Sequence, residues 1–152
     1  MTGGFGDTDN NGHGGFAILD GYLYVATGNR TTGTQIYRSK NGTTWTQVVG
    51  DGFGDTNNWK AESLIVFNGR LYAGTNNYPT GIEVWSSCDG TTWEQANSDG
   101  FGDSNNLNTL WSVGTVAYNG NLYIGTANVA DGGEVWSLLH DQKCSVRRSP
   151  RD

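Results

Sequence analysis

The chain has 152 residues and a formal net charge of −6, with 24 Gly, 6 Trp and 7 Tyr but only 2 Pro. The acidic balance argues against sequence-independent nucleic-acid binding, which needs Lys and Arg to neutralise phosphates, and no apolar run is long enough to cross a membrane as a helix. No segment keeps a 3.6-residue apolar period, so strands and turns must build the fold.

The chain opens at Met1-Thr2-Gly3-Gly4, with no charged and apolar leader. This form is therefore read as carrying no signal peptide. That leaves the location open, with an extracellular or cell-surface place favoured. Phe5-Gly6-Asp7 is then the first of three copies of one tripeptide. The others are Phe53-Gly54-Asp55 and Phe101-Gly102-Asp103, at a 48-residue step. A period near 50 made only of strands and turns marks propeller blades, sheets that must stack on neighbours to bury both faces.

Within the first copy, Asp20-Gly21 leads into Leu23-Tyr24, and Ile36-Tyr37 follows after a loop. The second copy reads most clearly. Strands are expected at 64–67, 70–75, 82–86 and 91–95, with tight turns at Asn68-Gly69 and Asp89-Gly90. Asn-Gly and Asp-Gly suit two-residue hairpins because both central positions need positive φ. The third copy repeats Asn119-Gly120, Leu122-Tyr123 and Val135-Trp136. The expected fold class is thus all-β, a β-propeller of four-stranded antiparallel blades. It occupies 1–152 as one segment, with blades at about 3–50, about 51–98 and about 99–146. From about 138 the chain diverges, and a divergent cap, a loose end and a shifted reading frame all fit that tail. Cys88 and Cys144 are too few for a disulfide framework and lack metal-ligand spacing, so they are read as incidental.

Ser39-Lys40-Asn41-Gly42-Thr43-Thr44-Trp45 and Ser86-Ser87-Cys88-Asp89-Gly90-Thr91-Thr92-Trp93 resemble the Asp-box hairpin of sialidase-like (BNR-type) propellers. The gap before Gly is one residue shorter here, and the first copy has Asn41 where the family has Asp. The resemblance implies a structural fastener, with the acidic side chain bonding the turn and the Trp packing beneath, away from any catalytic face.

Antiparallel order puts the hairpin turns and Asp-box-like turns on one face and the longer loops on the other. Loops on a rigid scaffold are where binding residues concentrate. Asp7, Asp55 and Asp103 recur in every copy, so one option is a repeated calcium site built on carboxylates and amide oxygens. The structural reading is that Asp and Asn cap their own turns. In that case no cofactor is needed. The remaining loops differ between copies at Arg30, Trp59, Tyr78, Trp111 and Asp131. Aromatic rings beside polar groups are the chemistry of sugar recognition. For Trp59 and Trp111 the alternative is packing at blade junctions.

Catalysis of the sialidase type would need an arginine cluster, and Arg30, Arg38 and Arg70 do not hold equivalent positions. No Ser-His-Asp set, zinc spacing or phosphate loop occurs. The expected function is a non-catalytic binding module for a glycan or other surface ligand. A scaffold or protein-interaction propeller is the alternative, and a degenerate glycoside hydrolase ranks last. Propellers close with ~4–8 blades, so three repeats are expected to pair with a second copy as a six-bladed homodimer.

Overall fold

The computed structural model describes residues 3–107, 114–138 and 144. Trp111 and almost all of the divergent tail lie outside the described residues. The fold is all-β and antiparallel. The first repeat supplies β1 (Gly12–Leu19), β2 (Tyr22–Gly28), β3 (Ile36–Ser39) and β4 (Thr46–Val49). The second supplies β5 (Lys60–Phe67), β6 (Arg70–Asn76), β7 (Val84–Ser87) and β8 (Glu94–Gln95). The third supplies β9 (Thr115–Tyr118), β10 (Asn121–Gly125) and β11 (Val135–Leu138).

Each strand pairs with the next within its repeat. Between the first and second repeats, β2 and β5 meet at the single pair Gly28↔Lys60. The hairpin turns behave as their sequences require. Asp20, Asn68 and Asn119 have φ of 49°, 51° and 47°, and the following glycines are also positive. These left-handed pairs carry the right-handed strand twist through a two-residue turn. One strand is shorter than expected. Residues 91–93 stay in the turn because the Asp89 carboxylate holds the Thr91 and Thr92 amides, both at 2.7 Å.

The core forms between repeats rather than within them. Leu19, Tyr24 and Ile36 of the first repeat bury against Leu64, Leu71 and Ala73 of the second. Phe67, Tyr72 and Val84 of the second bury against Leu122 and Ile124 of the third. Contact is closest at a bulge in β1, where a Cβ on Gly14 would stand 1.9 Å from the Ala61 carbonyl oxygen. Only glycine permits that approach.

The cysteines correct the sequence reading. Cys88 and Cys144 form a disulfide with Cα atoms 5.5 Å apart. Cys144 thereby lies beside the turn after β7, a neighbour relation that linear spacing does not reveal.

Candidate functional site

Beneath the long loops, each repeat builds the same buried polar network. It starts at the Gly-Phe-Gly turn, where Phe5, Phe53 and Phe101 take φ of 58°, 66° and 57°. A bulky residue in that region is strained and persists only when its surroundings hold it. Stacking supplies the hold. Phe5 lies 4.2 Å from Tyr37, Phe53 lies 4.8 Å from Trp85, and Phe101 lies 4.9 Å from Trp136, all nearly parallel.

The turn then delivers a buried asparagine. Asn58 Nδ2 donates to the Gly52 carbonyl at 2.9 Å and to Glu83 Oε2 at 2.6 Å. Its Oδ1 accepts from Thr75 Oγ1 at 2.7 Å and from Asn77 Nδ2 at 3.1 Å. Asn10 and Asn106 hold the equivalent places, donating to Gln35 Oε1 at 2.9 Å and Glu134 Oε2 at 2.8 Å. Trp85 and Trp136 donate their indole N–H to the same Glu83 and Glu134 oxygens.

The repeated aspartates belong to this network. Asp7, Asp55 and Asp103 each accept the backbone N–H two residues on, at 2.9 Å. The other oxygen of each accepts the side-chain amide of Asn29, Asn77 or Asn128, at 3.1, 2.9 and 2.9 Å. Amide donors thus point at the oxygens a cation would need. Among the described residues, no group of three or more His, Cys, Asp or Glu is placed to hold a metal ion.

Glu83 is the charged member at the centre. Burial pushes its pKa up, donors from Asn58 and Trp85 pull it down, and the Asp99 and Asp55 charges push it up again, leaving it raised above 4.5. A raised carboxyl contributes stability below its unfolded pKa, and that stability is lost as pH rises through the folded value. Gln35 fills the same place in the first repeat, with Nε2 donating to Asp7 Oδ2 at 3.1 Å. Glu83→Gln should therefore fold. Its stability relative to the parent should climb as pH increases above 4.5. Urea unfolding across pH checks this, and a flat difference contradicts it.

On this platform the structure brings three of the five variable-loop residues together. The Arg30 guanidinium lies 3.7 Å from the Trp59 ring centroid. Trp59 and Tyr78 lie 6.5 Å apart and 9° from parallel. The backbone explains the meeting. Trp59 accepts from the Asn29 N–H at 2.8 Å and donates to the Asn76 carbonyl at 3.2 Å. It is thereby pinned between the first repeat and its own. Arg30 and Tyr78 each follow a network asparagine, Asn29 and Asn77. Arg30 is exposed, Trp59 half-buried and Tyr78 45% exposed. Asp131 stands in the matching loop of the third repeat, exposed, its N–H donating to Asn128 Oδ1 at 3.0 Å, and is not part of the stack. Behind Trp59, the Asn76 side chain is fully buried, and neither its Nδ2 nor its Oδ1 has a partner among the described residues. The Trp59 indole N–H is likewise unpartnered. Buried polar atoms of this kind call for a water or a ligand.

The sequence reads Asn10, Asn58 and Asn106 as caps of their own turns rather than as the centres of buried networks, and it does not single out Gln35. The signal of the three asparagines is their recurrence at one register in all three copies. A family model described as the DUF6242 beta propeller domain matches residues 6–146. A comparison with curated proteins finds no match.

Proposed function

This chain belongs to the DUF6242 beta propeller domain family, and on that premise we propose that it is a non-catalytic binding module whose loop face receives a glycan. The observation that carries the reading is the Arg30–Trp59–Tyr78 stack, an exposed cation and two parallel rings drawn from two repeats. Ring faces stack on sugar C–H surfaces while guanidinium and amide groups bond hydroxyls.

The finer architecture belongs to the same proposal. Three four-stranded blades make the array, and the turns at Asn41 and Asp89 act as Asp-box fasteners. Ser87 Oγ and the Thr91 and Thr92 amides all donate to Asp89 Oδ1. Burial alone would raise the Asp89 pKa, but the donors of Thr91 and Thr92 outweigh it and hold the carboxyl well below the usual range. The Cys88–Cys144 bridge supports an oxidising, extracellular setting.

A glycan array followed by calorimetry tests the function. The parent should bind at least one sugar class with a single site per chain. Tyr78→Ala, which removes an exposed ring, should weaken binding about tenfold. Calcium should give no heat. The absence of any glycan binding would favour a protein-interaction scaffold, and equal binding by Tyr78→Ala would move the site elsewhere.

A further inference from the structure

We infer that the ligand of the Arg30–Trp59–Tyr78 stack is an acidic saccharide, one that carries a carboxylate, with Arg30 as the residue that selects it and Trp59 as the residue that positions Arg30. The inference rests on the glycan reading and adds the ligand's charge to it.

The guanidinium carbon of Arg30 lies 3.7 Å from the Trp59 ring centroid. It covers one face of that ring, where the ring quadrupole attracts a cation. Stacking uses the flat face of the guanidinium and leaves its N–H donors pointing outward in the plane. Among the described residues, Arg30 has no ion pair, and none of its donors reaches an acceptor. Carboxylates are not lacking nearby. Asp7 is bonded to Asn29, the residue before Arg30, and Asp55 to Asn77, the residue before Tyr78. Their oxygens already accept side-chain amides and turn N–H groups. Lys60, next to Trp59, is in the opposite condition, since it pairs with Glu62 at 3.0 Å. The stack therefore carries one charge without a partner, positive, exposed and seated on a half-buried ring.

The repeats make this charge a feature of one site. Arg30, Tyr78 and Val129 each follow a network asparagine, and all three are exposed. Asn11, Trp59 and Leu107 follow the other asparagine of each repeat. Of these six positions, Arg30 alone is a cation and Trp59 alone an indole, and the two meet. A planar fork of N–H donors matches both oxygens of a carboxylate, in a charge-assisted contact about twice as strong as a neutral one. A hydroxyl would leave the charge unmatched. Because Trp59 seats the guanidinium beforehand, binding costs it little freedom. Tyr78, 45% exposed, offers its ring to the sugar.

A glycan array printed with carboxylated saccharides beside methyl esters of the same saccharides tests this, with calorimetry of the strongest pair on the full chain. The acid should bind about tenfold more tightly than its ester. Its affinity should fall as salt rises, while that of the ester holds. In Arg30→Gln, a change at an exposed residue, acid and ester should bind alike. Trp59→Leu keeps the guanidinium but removes its seat, so the ratio of acid to ester affinity should shrink there too. A general loosening of the loops would weaken both without moving that ratio. Equal binding of acid and ester by the parent overturns the inference and leaves the glycan reading standing, as does a preference that survives in Arg30→Gln. Binding of no saccharide of either kind overturns both.

Discussion

Asn58→Ala should lower the free energy of unfolding by about 3–5 kcal/mol, among the largest effects expected of a single change in this chain. Asn58 is fully buried and uses both donors and both acceptor sites. Alanine would take one partner each from the Gly52 carbonyl, the Thr75 hydroxyl and the Asn77 amide. It would also remove a donor from the buried Glu83 carboxylate, and a buried charge that loses a partner is costly. The adjacent Asn57 is exposed, and its side chain bonds to Asp55 Oδ1 within its own turn. Asn57→Ala should change stability by less than about 0.5 kcal/mol. Urea unfolding of both variants measures the contrast.

Reducing the Cys88–Cys144 bond should cost about 2–4 kcal/mol. The bridge spans 56 residues of sequence, and closing a loop of that length removes about 4 kcal/mol of unfolded-state entropy in the chain-entropy model. It ties the second repeat to Cys144, beyond β11. The loss should appear as a lower urea midpoint in dithiothreitol, and Cys88→Ser should reproduce it without reductant. Equal midpoints with and without reductant would mean that the bridge constrains nothing.

Much of this molecule is legible in its sequence because its determinants are local and repeated. Positive-φ hairpins follow from Asp20-Gly21, Asn68-Gly69 and Asn119-Gly120, and the β-propeller class follows from the Phe-Gly-Asp step. The alternation of Leu71 and Tyr72 on β6 foretells a sheet covered on both faces, and the two buried clusters take one residue each. The grouping of Arg30, Trp59 and Tyr78 is half legible. Their variability singles them out, but the backbone bonds of Trp59 to Asn29 and Asn76 that align them join different strands. The network around Asn58 was hidden for a related reason. Asn58 and Glu83 are 25 residues apart, and neither type at its own position announces the other. Cys144 was hidden because the tail abandons the repeat register. Asp7, Asp55 and Asp103 look alike in sequence as turn caps and as cation ligands, and the Asn29, Asn77 and Asn128 amides that donate to them stand 22 to 25 residues further along the chain.

The central claim is that each repeat is one unit held by its own asparagine, with the variable loops displayed above. The most direct test is side-by-side urea unfolding of Asn10→Ala, Asn58→Ala and Asn106→Ala against Asn57→Ala. The account predicts that all three network variants shift the midpoint down by several-fold more than Asn57→Ala does. Three network variants that unfold like Asn57→Ala would contradict it.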